Sequence, residues 1–373
     1  MSLIALQRNR YPDVDIDFAL RQIEGWQRAR KKLPSIALIE DWWYPQRVST
    51  EQCSSEMTAG WKAAYLQSLQ SRLNRKAESI VDLTGGMGID TMWLSSVAKK
   101  SVYVERDEEL CRLARHNFKV AGKNIEVVCS SAEDYLERMD RVDCIYIDPS
   151  RRDSAGRKVY QLEDCSPDIV KIQSALLRKC GLLLLKLSPM LDIEAALRVL
   201  EGTRDVNVLA VEGEVKELLL CVVGGYEGEA QYRALNLGTG QPEIVFTRIE
   251  EQQAAAEYAS AAGKFLYEPN AAVMKAGCFR LIGNRYGLKK LAANTHLYTS
   301  DELVSDFCGR RFEVMGIADK RALRGRRLSV LSRNYPLTAE QIKSRYGLRE
   351  DDREWLVATR IGNKQTLLTA RKI

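Results

Sequence analysis

Two short segments of this 373-residue chain combine residue types that can do chemistry together. The first is Val81-Asp-Leu-Thr-Gly-Gly-Met-Gly-Ile-Asp90. Gly85, Gly86 and Gly88 permit a tight turn and let the backbone approach a ligand closely, and a helix opening after them offers unpaired N–H groups. Such a turn cradles a phosphate- or nucleoside-bearing cofactor, and a dinucleotide site is the obvious rival reading. Glu105 ends the next apolar run, 17 residues past Gly88. A carboxylate there can accept hydrogen bonds from a ribose diol, although a plain surface acid at a strand end has the same look. The second segment is Asp143-Cys-Ile-Tyr-Ile-Asp-Pro-Ser-Arg-Arg-Asp153. Asp148 can orient a reacting group or take its proton, and Pro149 fixes the turn and leaves a carbonyl free. Arg151 and Arg152 can hold a phosphate or stack on a base, or they can simply pair with Asp153 and Asp164. Lys186 interrupts an apolar strand near its end. A buried lysine is costly without a partner, so it is expected at the site, paired with Asp148 or Asp192. Cys165 lies nearby in sequence and reads as a small buried residue before it reads as a nucleophile.

These residues need a scaffold that brings loop ends together. From about residue 76, short β-branched runs alternate with helical stretches. Strands are predicted at 79–83, 101–105, 125–129, 142–147, 181–187, 206–211 and 218–223. Helices are predicted at 90–98, 108–121, 132–138, 168–177 and 193–200. The alternation predicts an α/β, doubly wound, mostly parallel seven-stranded sheet with helices on both faces. The link 212–217 is too short for a crossover helix, so the last strand is predicted antiparallel. Residues 1–75 read as helical. Ser49-Thr-Glu-Gln52 has capping-box spacing and predicts a helix from there to residue 73. Beyond residue 225 the expected elements are a strand at 242–249, a helix at 252–262, and an α+β unit over 301–373 with a strand pair near 355–358 and 366–368.

Hydrophobic residues make up 45% and charged residues 28% of the chain, which excludes a disordered polymer. No apolar run is long enough to span a bilayer, and the first ten residues lack the apolar core of a secretory signal, so no membrane partner is expected. The nine cysteines are scattered without a C-x-x-C pair, and free thiols point to a cytoplasmic protein. With two histidines, no metal site is expected. The net charge is +6. Residues 301–373 hold sixteen Lys and Arg against ten Asp and Glu, so the whole excess lies in this last fifth of the chain. A localised basic surface is an electrostatic footprint for nucleic acid, or a solvated face with no partner.

Residues 76–225 resemble a class I S-adenosylmethionine-dependent methyltransferase, whose pattern D/E-x-G-x-G-x-G is matched by Asp82, Thr84, Gly86 and Gly88. Thr84 replaces the usual first glycine. The resemblance implies S-adenosyl-L-methionine as cofactor, held by Asp82, Thr84, Gly85, Gly86, Gly88, Glu105 and the adenine-covering loop at Ser131 and Ala132. It makes Asp148, Pro149 and Arg151 the catalytic group and puts Arg152 and Lys186 on the substrate. More narrowly, most of the chain is similar to a bacterial methyltransferase family with a THUMP-like C-terminal domain. The residues carrying this are Glu51-Gln-Cys-Ser-Ser-Glu-Met-Thr-Ala59 with Lys62, Asp148-Pro-Ser-Arg-Arg152, Lys186-Leu-Ser-Pro-Met-Leu-Asp192, Tyr267-Glu-Pro-Asn270, Asn294-Thr-His-Leu-Tyr298 and Arg333-Asn-Tyr-Pro-Leu337. The implied domains are a helical segment 1–75, a methyltransferase domain 76–250, a ferredoxin-like segment 251–300 and a THUMP-like basic domain 301–373. The implied partner is structured RNA, rRNA or tRNA. Ser150 and Arg151 stand where amine-methylating enzymes place a stacking aromatic. No cysteine follows the fifth strand, where 5-methyluridine enzymes need one. Methylation of a base nitrogen is therefore the expected reaction. The alternatives are a small-molecule or protein methyltransferase, or a non-catalytic RNA-binding relic of the fold.

Overall fold

The computed structural model describes residues 13–74, 78–150, 162–163 and 165–373. Two compact units divide the chain, Met1–Asp205 with Glu217–Gly228, and Val206–Lys216 with Glu229–Ile373.

The first unit opens with α1 (Ile16–Lys32), a short helix α2 (Arg47–Gln52) and α3 (Glu56–Arg72). The helix read from Ser49 to residue 73 is thus two helices. Ser49 lies inside α2, and the cap of the long helix is Ser55, whose hydroxyl accepts from Thr58 N at 3.2 Å. Both Ser-x-x-Glu/Gln spacing and Ser-x-x-Thr spacing leave a hydroxyl at an N-cap. The break at Cys53–Ser54 decides between them, because it carries the buried Ser54 into the site described below.

Strands and helices then alternate as β1 (Ser79–Asp82), α4 (Ile89–Leu94), β2 (Lys100–Glu105), α5 (Glu108–Val120), β3 (Glu126–Cys129), α6 (Ala132–Arg138), β4 (Val142–Ile147), α7 (Ile169–Lys179), β5 (Cys180–Leu187), α8 (Ile193–Val199), β6 (Thr203–Val211) and β7 (Glu214–Val222). β1 runs parallel to β2 and β4, with Val81 opposite Val102 on one side and Ile145 on the other. β3 and β5 extend the parallel set, and β7 pairs antiparallel with β5, Leu185 opposite Leu220. The expected antiparallel last strand is present. The sheet has nine strands rather than seven, in the order β3-β2-β1-β4-β5-β7-β6-β8-β9, with β8 (Gln231–Leu237) and β9 (Ile244–Thr247) added. β8 escapes a search for apolar runs because its buried positions include Asn236 among Tyr232, Ala234 and Leu235, and Arg233 divides them.

Helix α3 covers one face of the first unit's sheet. Tyr65, Leu66 and Leu69 pack with Ile80, Cys144, Leu182, Leu184, Leu219 and Cys221. On a second cluster, Met87, Ile89 and Tyr103 pack with Phe118 of α5 and with Trp42 and Tyr44 of the N-terminal segment.

In the second unit, α9 (Arg248–Gln253) replaces the helix expected at 252–262. Thr247 and Glu250 form a reciprocal capping box that fixes its start, and the chain turns extended at Ala254. Next come β10 (Phe265–Pro269), α10 (Ala271–Ala276), α11 (Leu281–Tyr286), β11 (Lys289–Ala292), β12 (Thr295–Ser300), β13 (Gly309–Ile317), β14 (Ser329–Ser332), α12 (Ala339–Tyr346), β15 (Glu354–Ile361) and β16 (Lys364–Lys372). Seven strands form one sheet, ordered β11-β12-β10-β13-β16-β15-β14. The expected hairpin of β15 and β16 is there, Val357 opposite Leu368. Among the described residues, no helix is long and apolar enough to cross a membrane.

Leu66 has no solvent exposure and lies between α3 and the sheet. Leu66→Ala is expected to lower the unfolding free energy by about 2–5 kcal/mol, read from urea titration, because the rigid sheet beneath it cannot collapse into the cavity.

Candidate active site

β1 and β4 lie side by side where the strand order reverses, and open α/β sheets bind ligands in the crevice beyond that point. The glycine turn leaves β1 here. Asp82 is buried and clasps both ends of the turn, accepting from Thr84 N at 3.0 Å and from the Thr91 hydroxyl at 2.5 Å. Burial pushes its carboxyl up to about 7, against the pull of those two bonds. Thr84 accepts from Asp148 N at 2.7 Å and so ties the β1 turn to the end of β4. A glycine at this position could not make that tie, which accounts for the departure from the glycine pattern.

The remaining glycines are each required. A Cβ on Gly85 would fall 2.1 Å from the Tyr103 ring. Gly86 and Gly88 have φ of +53° and +80°, in the left-handed region. A Cβ on Gly86 would meet nothing nearer than Thr84 O at 3.8 Å, so open space lies in front of the turn. Glu105 borders that space. One of its oxygens accepts from Gly86 N at 2.9 Å, and the other from Arg106 N and Asp107 N at 2.8 and 3.0 Å. Ser130 N donates to Glu105 O at 3.0 Å and brings the next loop alongside. In that loop Ser131 caps α6, accepting from Asp134 N at 3.0 Å, and Ala132 is buried. An open glycine cradle beside a fixed carboxylate fits a nucleoside-bearing cofactor.

On the other side of the crevice a ladder of alternating charges runs inward from Asp148. Lys186 donates to Asp148 Oδ2 at 2.5 Å and lies 3.7 Å from Asp90 Oδ2. Asp90 Oδ1 faces Lys62 Nζ at 2.8 Å, and its Oδ2 accepts from the Ser54 hydroxyl at 2.7 Å and the Tyr146 hydroxyl at 2.8 Å. Lys62 also donates to Ser54 at 2.8 Å and to Glu217 Oε1 at 2.7 Å. Burial alone would raise the Asp90 carboxyl, but Lys62 and Lys186 outweigh it and hold it below the usual carboxylate range. Burial alone would lower the Lys186 ammonium, but Asp148, Asp90 and Glu217 outweigh it and hold it above an ordinary lysine. Of the five charged side chains Asp148 is the most exposed, at 36%. Ser150 braces the loop after Asp148, exchanging backbone bonds of 2.8 and 3.0 Å with Ser166.

The structure therefore brings Asp82, Thr84, Gly85, Gly86, Gly88, Glu105, Asp148 and Lys186 around one crevice, with Pro149 buried beside Asp148 and Ser131 and Ala132 on the adjoining loop. Lys186 takes Asp148 as partner rather than Asp192, which caps α8 by accepting from Ala195 N. Cys165 is buried. Arg151 and Arg152 lie outside the described residues. The sequence reading misses the roles of Asp90, Tyr146 and Glu217. A signal existed for Lys62 and Asp90, which stand among apolar neighbours, where a charge is buried with a partner; Glu217 follows Lys216 at the head of an apolar run and gave none.

Cradle, carboxylate and switch-point crevice define a nucleoside-cofactor enzyme on an open α/β sheet. Comparison with known proteins narrows the class. A crystal structure from Porphyromonas gingivalis W83, described as a methyltransferase, matches with a TM-score of 0.85 and 32% identity, covering 96% of this chain and 92% of that one. An uncharacterized S-adenosylmethionine-dependent methyltransferase of Mycobacterium tuberculosis H37Rv is 27% identical over 331 residues, 85% of this chain and 86% of that protein. Family models match a ferredoxin-like domain at residues 265–307 and a THUMP domain-like segment at 309–372. The chain belongs to this family of S-adenosylmethionine-dependent methyltransferases with a THUMP-like C-terminal domain.

Two outcomes follow from the buried charges. Lys62→Met strands Asp90 and Glu217 and is expected to cost about 3–5 kcal/mol of stability in urea titration; a loss below about 1 kcal/mol contradicts the ladder. Asp82 has a folded value raised above its unfolded one, so the stability it contributes is present at low pH and is lost as pH rises from about 4 to about 7. Across that window the wild type is expected to weaken relative to Asp82→Asn, and the two are expected to run parallel above it.

Proposed function

We propose that this chain transfers a methyl group from S-adenosylmethionine to RNA, either rRNA or tRNA. The observation that carries the reading is Asp148, gripped by Lys186 and tied through Thr84 to the glycine cradle, at the mouth of the crevice. The strand order β3-β2-β1-β4-β5-β7-β6 within the larger sheet is that of class I methyltransferases and supports the assignment of residues 76–250 to the chemistry. The cofactor supplies a methyl group already activated on a sulfonium, so the protein's work is alignment. Gly85, Gly86 and Gly88 would leave room for the cofactor, Glu105 would accept from its ribose diol, and Ser131 and Ala132 would border its base. Asp82 acts behind the turn, by fixing its two ends. Asp148 and the Pro149 carbonyl orient the acceptor.

The RNA assignment rests on the C-terminal residues 301–373. Lys320, Arg321, Arg324, Arg326 and Arg327 are all exposed, and among the described residues the one ion pair they make is Arg327 with Asp351, at 3.9 Å. Several of the sequence motifs meet near a groove of about 550 Å³ lined by Arg310, Arg333, Asn334, Tyr335 and Trp355. Buried Glu268 pairs there with Arg333 at 2.8 Å and accepts from Arg310 Nε at 2.6 Å, while the Arg310 guanidinium lies 5.0 Å from the Trp355 ring. Fixed arginines and a ring suit phosphate and base. Nine free cysteines accord with a cytoplasmic enzyme.

With total RNA from cells lacking the gene as substrate, Asp148→Ala is expected to lose transfer by roughly 100-fold or more while its S-adenosylmethionine affinity by calorimetry stays near wild type. Loss of cofactor binding would move Asp148 to the other half of the site. RNA affinity is expected to fall steeply with salt, and a flat salt response would favour a small-molecule or protein substrate.

A further inference from the structure

The two lysines of the ladder are unequally employed. An ammonium has three N–H donors. Lys62 donates to Ser54 and Glu217, is ion-paired with Asp90 Oδ1 at 2.8 Å, and has no solvent exposure. Among the described residues, Lys186 makes one hydrogen bond, to Asp148, and one looser approach to Asp90 at 3.7 Å. Donor capacity therefore remains on Lys186, beside the most exposed group of the ladder. Asp148 in turn has a second carboxylate oxygen with no hydrogen-bond partner among the described residues. The crevice thus presents one ammonium donor and one carboxylate acceptor, side by side.

We propose that the methyl acceptor is a hydroxyl, the ribose 2′-hydroxyl of RNA, held between Lys186 and Asp148. The proposal rests on the RNA methyl transfer argued above and specifies its acceptor. A hydroxyl has one donor and two lone pairs. It donates to Asp148, accepts from Lys186 and keeps one lone pair for the methyl carbon. The sequence reading expects a base nitrogen; where that nitrogen is an exocyclic amine, it has two donors and a single lone pair, which must face the methyl group. It would give the largely buried Lys186 ammonium no second acceptor beside Asp148, a cost of the kind that excludes misfit substrates. Ser150 follows Pro149, so the loop offers no ring there to clamp a base. The 2′-hydroxyl is the group that each internal ribonucleotide carries and a deoxynucleotide lacks.

The atoms balance without a further reagent. The oxygen–carbon bond forms as the donor's carbon–sulfur bond breaks, the electron pair stays on sulfur, and the hydroxyl proton passes to Asp148 and then to water. Lys186 stays charged throughout and stabilises the negative charge that gathers on oxygen. Lys62 and Glu217 are positioning residues: Glu217 holds Lys62, Lys62 holds Asp90, and Asp90 faces Lys186.

The test uses the full-length protein, methyl-labelled S-adenosylmethionine and total RNA from cells lacking the gene. A methylated 2′-oxygen can no longer attack the adjacent phosphodiester. After alkaline hydrolysis the label is expected in resistant dinucleotides, with mass spectrometry placing the methyl group on ribose. Label in mononucleotides, on a base, overturns the proposal and leaves the RNA reading standing. No label in any RNA overturns that reading, and this one with it. Lys186→Met is expected to lose roughly 100-fold in transfer with unchanged calorimetric affinity for S-adenosylmethionine, and undiminished transfer by that variant contradicts the role given to Lys186.

Discussion

Lys62 is a fully buried ammonium, and the active side of the molecule is organised by what its burial demands. An isolated charge at such a place is prohibitive, so the lysine must be met by fixed partners of opposite sign. Those partners come from four directions: Ser54 before α3, Asp90 at the start of α4, Tyr146 in β4 through Asp90, and Glu217 in β7. Meeting Lys62 therefore fixes the approach of α3 to the sheet, the opening turn of α4 and the register of β7 at once. The apolar contacts of Tyr65, Leu66 and Leu69 against the same sheet supply area, but area does not choose one arrangement over its neighbours. The charge ladder does.

The same ladder reaches the chemistry. Asp90 belongs to the helix that the glycine turn opens, and it also faces Lys186, which grips Asp148. Thr84 closes the circuit from the turn to Asp148 N. The cofactor side and the acceptor side are thus coupled by two short paths, one through a threonine hydroxyl and one through alternating charges. Methyl transfer needs an in-line approach, and small errors of placement are costly.

Much of the scaffold was legible from sequence because it is periodic. β-branched runs alternating with helical stretches placed β1 to β7, and the short link before β7 gave its direction. The glycine turn, Glu105 and Asp148 stand out in the sequence because they end strands where open α/β sheets reverse topology, and hydrogen bonds link Gly86 to Glu105 and Thr84 to Asp148. The misses share a cause: they depend on contacts between residues far apart in the chain. Ser49 and Ser55 look alike as caps until Ser54 is required at Asp90. Asp90 and Glu217 look like surface acids until Lys62 is placed between them. β8 is too polar to stand out, because Asn236 is buried within it. Thr84 looked like a defect in the glycine pattern, and its purpose depends on Asp148, 64 residues away.

On the function proposed above, the ladder holds Asp148 by the glycine cradle so that acceptor and methyl donor meet in the crevice between them. A crystal structure of the protein with bound S-adenosylmethionine tests it most directly. The account predicts the ribose diol on Glu105, the methionyl part over Gly86, the methyl group directed toward Asp148, and the Lys186–Asp148 and Lys62–Asp90 pairs intact. A cofactor seated elsewhere, or one whose binding separates Lys186 from Asp148, would contradict it.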